Sequence, residues 1–154
     1  MCRKNQEISK EECVKILTEE KRGALAVMGD NGYPYAVPLD FYFDRQEEKI
    51  YFHSAKVGHK IDAIKNNEKV CFTVWDAGIK KDGDWADYVT SVIIFGRAKL
   101  VTDATVTSEK AKAIGVKYYP SVEEVEAEMK MALSRMQLVE ISIDHMTGKL
   151  VHEK

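Results

Sequence analysis

The sequence has few cysteines and no excess of charge of one sign. Its three cysteines, Cys2, Cys13 and Cys71, lie far apart and form no CxxC pair, so we expect neither a disulfide framework nor a thiolate zinc site. All three are expected to be reduced thiols, with Cys71 a buried apolar side chain. The 23 Lys and Arg against 25 Asp and Glu give a net charge of −2, which argues against nucleic acid or an anionic membrane as the main partner.

Long apolar runs are also missing. No segment approaches the roughly 18 apolar residues of a membrane span, and the opening MCRKNQEISKEE lacks the apolar core of a signal peptide, so a cytoplasmic protein is expected. His53, His59, His145 and His152 show no HxxxH spacing, and no metal site is expected. A chain of 154 residues can build a core without metal or disulfides, and we expect one domain over residues 1–154.

The amino-terminal part of the sequence predicts a helix followed by a strand. Ser9 and Glu12 have the spacing of a capping box, and Gly23 ends the helix that they begin. GALAVM, residues 23–28, predicts a strand, and the GDNG run after it predicts a tight hairpin turn.

Residues 33–44 alternate between apolar and polar side chains, which predicts one long strand with a single buried face. Pro34 and Pro38 cannot donate hydrogen bonds to a neighbouring strand. This strand must therefore lie at an edge or be interrupted at the prolines. Either arrangement leaves backbone groups free to contact a ligand.

The rest of the sequence predicts mostly strands, with helices between them. The segments read as strands are 50–54, 70–75, 88–101 and 136–144, and those read as helices are 58–66, 105–117 and a segment beginning at Pro120-Ser121. Residues 76–87 are expected to form a loop and residues 148–154 a tail. The 88–101 segment is apolar on both faces, which predicts the longest strand, central and buried on both sides. Hairpin-length connections then favour a mainly β antiparallel barrel with peripheral helices.

The segment YFHSAKVGHK, residues 51–60, combines features that suit a phosphate group. A strand ends at Ser54, Gly58 allows close backbone approach, and a short helix begins with His59 and Lys60. Helix amides, a hydroxyl and a lysine are the donors that bind phosphate in proteins. The alternative is a strand-to-helix turn with a capped helix and no ligand. Neither GxGxxG nor GxxxxGK[ST] is present, so Rossmann and P-loop sites are not supported.

Four blocks carry a family resemblance: GYPYAVPL, YFHSAKVGHK, SVIIFGRA and HMTGK. In this order they resemble the pyridoxamine 5′-phosphate oxidase-like, FMN-binding split-barrel superfamily, and its nitroimidazole-resistance branch most closely. The similarity extends from about Gly23 to Lys149. It implies an antiparallel split β-barrel and a homodimer with two FMN molecules at the subunit interface.

The resemblance also implies roles for particular residues. Ser54 and Lys60 match the hydroxyl and lysine that hold the FMN phosphate, and His59 matches a basic position of the oxidases. By the same resemblance, the backbone of one strand borders the isoalloxazine ring, and His53 lies beside the flavin edge. The residues of that strand are Val37, Pro38, Leu39 and Asp40. The candidates that the other subunit contributes are Trp75, Thr90 and Ser91.

His53 is the catalytic candidate, because an imidazole can donate a proton near neutral pH. The alternative is that it only packs or hydrogen-bonds at a strand end. Trp85, in the charged loop, is a candidate lid residue, and the apolar stripe from Val122 to Met136 is expected to be core or subunit contact.

The sequence departs from the true oxidases at their substrate clamp. Pro38 and aromatic residues replace an Arg and a Lys on the ring-bordering strand, and VEISIDHMTGK replaces the carboxyl-terminal Trp, Arg and His. Pyridoxamine phosphate oxidation is therefore not expected. The resemblance implies an FMN-dependent oxidoreductase that reduces a small flat acceptor such as a nitroimidazole. The sequence shows neither a nicotinamide site nor a second basic cluster, so the electrons are expected to come from a separate reductase. The alternatives are a flavin carrier or redox sensor, and a haem- or deazaflavin-binding relative.

Overall fold

One antiparallel sheet forms the framework of the protein, and its helices pack against the ends and one side of that sheet. The computed structural model describes residues 4–152. Over these residues the chain forms eight strands and four α-helices: α1 Lys10–Glu19, β1 Arg22–Met28, β2 Pro34–Asp40, β3 Tyr42–Asp44, β4 Lys49–Ala55, α2 His59–Asn66, β5 Lys69–Trp75, β6 Ile79–Lys80, β7 Asp87–Leu100, α3 Ala104–Tyr118, α4 Val122–Ala132 and β8 Met136–His152.

The strand order makes the sheet a split barrel. The order is β2-β1-β5-β7-β8-β4-β3, and the short β6 pairs with β7. The two strands at the ends of this order, β2 and β3, are separated in sequence by the single residue Phe41. The chain therefore crosses from one edge of the sheet to the other at Phe41, which brings the edges together. The predicted antiparallel barrel with peripheral helices is confirmed.

The prediction of one unbroken strand over residues 33–44 is wrong, because β2 and β3 pair with different neighbours. β2 pairs with β1 from Pro34 to Asp40, and β3 pairs with β4. Phe41, between them, forms no ladder hydrogen bonds with either neighbouring strand. Instead, the Tyr118 hydroxyl accepts a hydrogen bond from the Phe41 amide and lies 2.8 Å from the Phe41 carbonyl oxygen. The edge position inferred from Pro34 and Pro38 is confirmed, since β2 pairs with β1 alone among the described strands.

The first helix begins as the capping box predicts and closes one end of the barrel. The Glu12 amide donates to Ser9 Oγ at 3.2 Å, and the Ser9 amide donates to Glu12 Oε2 at 2.8 Å. Cys13 and Leu17 on this helix join the barrel core. Cys13, and not Cys71, is thus the buried thiol. Cys71 is half-buried because it lies on the outer face of β5, opposite Phe95, and Cys2 lies outside the described residues.

Residues 4–152 cover β7 on one face only. Its alternate residues Val92 and Ile94 are fully buried, whereas Ile93 and Phe95 on the outer face are 43% and 54% exposed. The prediction that this strand is buried on both sides is therefore wrong for the single chain. The helices pack elsewhere: α1 contacts the interior side of β7 and β8, and α3 contacts β3, β4 and β8.

The last strand is longer than predicted. β8 runs for 17 residues and exceeds β7, which has 14. Residues 148–152, expected to be a tail, pair with Tyr88 to Val92 of β7. Pairing along the whole of β7 explains the extension, since each added residue satisfies backbone groups that the tail would expose. The loop over residues 76–87 likewise contains the two-residue β6.

A buried lysine anchors α3 to the barrel. Lys110 Nζ lies 2.8 Å from Asp44 Oδ2 and 2.5 Å from Glu47 Oε1. Burial alone would lower the pKa of Lys110, but these hydrogen bonds and charges outweigh it and raise the pKa. The Tyr51 hydroxyl, within 2.9 Å of Glu47 and 3.1 Å of Glu140, extends the network. Each charge in this network is hydrogen-bonded, as a buried charge must be.

Replacing Tyr118 with Phe tests the contact at the break between β2 and β3. The change leaves the Phe41 amide without its partner, so the free energy of unfolding should fall by about 1–3 kcal/mol. Burial raises the pKa of Tyr118 to about 12, in keeping with a hydroxyl enclosed at this position. Urea unfolding followed by circular dichroism measures the loss. Tyr119→Phe, at the adjacent and exposed tyrosine, is the control and should change little; equal stabilities would refute the role of Tyr118.

Candidate functional site

The carboxyl end of β2 and the start of α2 both lie near the end of β4, at one corner of the barrel. Asp40 ends β2, His53 and Ser54 lie near the end of β4, and Lys60 lies in the first turn of α2. The charges of Asp40 and Lys60 both act on the His53 imidazole. The structure thus brings together residues that the sequence analysis assigned separately to a ring-bordering strand, a catalytic position and a phosphate site.

The His59 side chain, at the start of α2, contacts the β1–β2 turn and the beginning of β2. Its ring packs edge-to-face on Tyr35, with the ring centroids 4.5 Å apart. Its Nδ1 lies 3.5 Å from Asp30 Oδ2. These two contacts direct the imidazole toward the amino-terminal end of β2, while the helix itself packs on β1.

The amino terminus of α2 is open. Gly58, the residue before the helix, has φ = 135°, a conformation that favours glycine. No side chain among residues 4–152 caps this helix, because its N-cap residue is Gly58. The amides of Ile61 and Asp62 bond to the Gly58 carbonyl. The first turn therefore presents donors and partial positive charge outward, next to the Lys60 side chain.

Strand alternation separates His53 from Ser54. Ile50 and Phe52 of β4 belong to the barrel core, whereas Tyr51 packs in the cluster beneath α3. Successive side chains of a strand point to opposite faces, so His53 lies on the α3 side of the sheet and Ser54 on the barrel side. A ligand held at Ser54 and Lys60 would therefore reach His53 around the end of β4.

The environment of His53 favours the neutral imidazole. Part of the His53 side chain is exposed, but desolvation by the groups packed around it lowers its pKa below the ordinary value of 6.5. The negative charge of Asp40 opposes this effect, and the positive charge of Lys60 adds to it. At neutral pH the side chain therefore carries one N–H donor and one acceptor nitrogen.

A cavity of about 270 Å³ lies between the two long helices and this corner of the barrel. Asp40 and His53 line its sheet side, and Tyr118, Met129 and Met136 line its helical side. The sequence analysis missed this cavity, because it read the stripe from Val122 to Met136 as core or subunit contact. Small residues at Ala111, Gly115 and Ala132 were the available signal, since they leave space between paired helices.

Lys117 is a second group that the sequence did not single out. It lies behind Asp40, and burial lowers its pKa to about 8, against the opposing charges of Glu20 and Asp40. Its Nζ donates to the Glu20 carbonyl at 2.5 Å and lies 4.2 Å from the centroid of the Phe41 ring. Lys117 therefore helps Tyr118 hold the break between β2 and β3. Only its burial distinguishes it, and burial is not visible in sequence.

The three remaining candidates lie at the far end of the sheet. Trp75 pairs with Ser91, and the amide of Asp76 donates to the Thr90 carbonyl. Along β8, Leu138 pairs with His53 and Leu150 pairs with Thr90. These twelve residues of strand correspond to about 40 Å at 3.3 Å per residue. One chain does not bring Trp75, Thr90 and Ser91 together with its own His53.

A larger open cavity of about 620 Å³ lies between α1 and β8, with Lys10, Glu48 and Asp144 among its mixed charges. In the described part of the chain, no three His, Cys, Asp or Glu side chains converge as metal ligands. No helix in that part is long and apolar enough to cross a membrane.

The sequence profile of a protein family described as pyridoxamine 5′-phosphate oxidase matches residues 9–150. The chain belongs to this family. The pyridoxamine 5′-phosphate oxidase family comprises flavin-binding proteins of split-barrel fold, so the fold and the family resemblance seen in the sequence are both confirmed. No curated protein matches the sequence.

Several solved structures share the family fold at low sequence identity. A candidate 5-nitroimidazole antibiotic resistance protein from Bacteroides thetaiotaomicron is 20% identical, with a TM-score of 0.78 over 95% of this chain and 87% of that one. An FAD-binding protein from Mesorhizobium loti is 21% identical, with a TM-score of 0.70 over 95% and 97% of the two chains. The flavocytochrome Anf3 from Azotobacter vinelandii is 20% identical, with a TM-score of 0.70 over 93% and 67%.

The lowered pKa of His53 predicts a pH-dependent stability. Because the folded state resists protonation of this imidazole, the unfolded chain takes up a proton first as the pH falls through about 6.5. Between pH 7.5 and 5.5 the wild type should therefore lose more stability than His53→Gln, as measured by urea unfolding at each pH. NMR titration of the His53 ring gives the pKa directly, and a value at or above 6.5 would contradict the prediction.

Proposed function

We propose that the protein binds FMN and uses it to reduce a small flat acceptor such as a nitroimidazole or a related nitroaromatic compound. The observation that carries this proposal is the open amino terminus of α2 beside Lys60, Ser54 and His53. Family membership supports a flavin as the cofactor, and the donor groups at this corner support one that ends in phosphate.

The residues present fit a phosphate group. The first turn of α2 offers backbone donors, Lys60 offers a full positive charge, and Ser54 offers a hydroxyl. Gly58 leaves room, because a Cβ placed on it meets no heavy atom within 4 Å among the described residues. These are the donors that bind phosphate at helix termini.

The open edge of β2 suits the flat ring of the cofactor. Val37, Pro38, Leu39 and Asp40 pair with β1 on one side, and within residues 4–152 no strand pairs with their other side. Pro38 removes an amide hydrogen from that edge. The ring-bordering role of these four residues would place the ring between the phosphate donors and His53.

A homodimer would cover the exposed face of β7. Ile93 and Phe95 lie on that face, and Trp75 and Met28 lie on the same face of β5 and β1; all four are at least two-fifths exposed. Patches of this kind mark protein interfaces. A two-fold axis across the sheet would also let Trp75, Thr90 and Ser91 of one subunit approach the flavin site of the other, which they cannot reach in their own chain.

His53 would supply the proton. The bound flavin supplies the electrons. Reduction of a nitro group consumes protons together with electrons and releases water, so a titratable donor at the site is needed. His53 lines the cavity, and among the titratable side chains of that lining an imidazole is the one whose ordinary pKa lies closest to neutral pH. Burial lowers the pKa of His53, with Lys60 adding to this effect and Asp40 opposing it. Since the site lacks the positive clamp of the oxidases, pyridoxamine phosphate is not a substrate in this proposal.

Lys60→Ala should weaken FMN binding about 10- to 150-fold, which corresponds to the loss of one charge-assisted hydrogen bond of roughly 1.5–3 kcal/mol. Riboflavin has no phosphate, so its affinity should not depend on Lys60. Flavin fluorescence titration measures both ligands. Lys65→Ala is the matched control, because Lys65 is at the other end of α2 and pairs with Asp62. Equal weakening of FMN and riboflavin would show that Lys60 does not hold the phosphate.

The second prediction concerns turnover. Photoreduced, FMN-loaded protein mixed anaerobically with a 5-nitroimidazole should lose its reduced-flavin spectrum faster than in buffer, and oxidised protein should not be reduced by pyridoxamine phosphate. His53→Ala should slow the reaction while FMN affinity stays within a few-fold. In the wild type the rate should rise as the pH falls below 6.5, because the protonated fraction of His53 increases, and the variant should lose this dependence.

Two outcomes would redirect the proposal. If the nitro compound does not accelerate reoxidation, the protein is a flavin carrier or redox sensor. If His53→Ala reacts at the wild-type rate and with the same pH profile, His53 has a structural role at the end of β4.

A further inference from the structure

The cavity between α3, α4 and the sheet is a separate compartment beside the phosphate-binding corner. Its volume of about 270 Å³ exceeds the 150 Å³ or so that accommodates benzene in a protein interior. It is smaller than the roughly 300–1,000 Å³ of sites that enclose a drug-sized ligand. The cavity therefore fits one substituted aromatic ring or a fused pair, and it is too small for a whole flavin nucleotide.

Helix packing creates this space. A Cβ placed on Gly115 of α3 would lie 2.5 Å from Val125 Cγ1, so the two helices touch closely at that point. Ala111 and Ala132 also line the cavity and have short side chains that leave the space open. The space is thus enclosed at one end by the Gly115–Val125 contact.

The walls suit an aromatic molecule. Met129 and Met136 contribute polarizable thioethers, which pack favourably against aromatic rings. Tyr118 and Tyr119 contribute ring surface. His53, at the sheet side, is the group that the proposed function makes the proton donor.

The charged groups of the lining are acidic. Asp40 and Glu128 line the cavity, and its lining among the described residues contains neither Lys nor Arg. Asp40 is partly neutralised, since Arg22 Nε lies 3.3 Å from its Oδ1 and Lys117 acts on it from behind. Lys60 acts on His53 but lies outside the lining. Glu128, exposed on α4, forms no ion pair with any described residue and leaves a negative charge at the rim.

We propose that this cavity binds the electron acceptor, and that it selects neutral or cationic aromatic molecules of one or two rings over anionic ones. This proposal rests on the proposed function, in which the bound flavin reduces an electron acceptor. It adds where that acceptor binds and which charge it carries. An anionic aromatic molecule would be repelled by Glu128 at the rim, and no Lys or Arg of the described lining would compensate its charge inside the cavity.

The test uses three probes of similar size and different charge: 4-nitrobenzoate, 4-nitrobenzamide and the 4-nitrobenzylammonium ion. Calorimetric titration into oxidised, FMN-loaded protein measures binding without any electron transfer. The neutral and cationic probes should bind at least about tenfold more tightly than the anionic one. Glu128→Gln should reduce the preference for the cation over the anion about threefold or more, and Glu123→Gln, at an exposed position on the same helix, should not.

Filling the cavity tests its location. Ala132→Phe should abolish probe binding while the FMN affinity changes less than about threefold. Ala127→Phe adds the same ring on the exposed face of α4 and is the control. If Ala132→Phe weakens FMN as much as it weakens the probes, the cavity holds the flavin ring and the proposal is overturned. Equal affinity for all three probes would overturn the charge assignment.

The same titrations separate this proposal from the proposed function. If the protein binds no FMN, the proposed function fails, and the probes are then titrated into the flavin-free protein. Binding that retains the charge order and is lost in Ala132→Phe supports the cavity as an aromatic-binding site. Probe binding that is absent, or unaffected by Ala132→Phe, overturns it.

Discussion

The hydrogen bonds between the Tyr118 hydroxyl and the Phe41 backbone are the contact on which the arrangement of the site depends. A strand that leaves one neighbour and joins another must pass through a residue with no ladder of its own, and an unpaired buried amide is costly. Tyr118, which lies outside the sheet, forms the hydrogen bonds that Phe41 would otherwise lack. Its hydroxyl also contacts the Lys21 carbonyl. Asp40 immediately precedes Phe41, so the position of Asp40 beside His53 follows from the same contact.

Tyr118 can do this because one face of α3 is anchored along its length. Lys110, Ile114 and Tyr118 are spaced four residues apart and therefore share a face of the helix. The first ends in the network of Asp44 and Glu47, the second is buried beneath the helix, and the third reaches Phe41. The neighbouring column, Ala111 and Gly115, faces α4 and the cavity. A single helix thus stabilises the barrel with one face and shapes the cavity with the next.

Sequence patterns predicted the elements that depend on local chemistry. The capping box at Ser9 and the glycine before α2 act within a few residues of themselves, so they could be read directly. The break at Phe41 could not be predicted, because its cause is a tyrosine 77 positions later. The extension of β8 was missed for a related reason. A glycine such as Gly148 usually indicates a turn, but here it lies within a strand because Ile8 and Cys13 leave no room for a side chain at this position. The turn from β4 into α2 could be predicted from the sequence, whereas the cavity required knowledge of how α3 and α4 pair.

The pairing of β4 with β8 has a consequence for how the protein folds. Lys49 pairs with Ser142, and Ala55 pairs with Met136. The strand that carries His53 therefore pairs with residues more than 80 positions later in the sequence. Contacts of such sequence separation slow folding, because a long loop must close before they form. During synthesis β4 can pair only with β3 until the last strand leaves the ribosome. We therefore expect the corner around His53 to be among the last parts of the molecule to take shape, after the pairing of β1, β5 and β7.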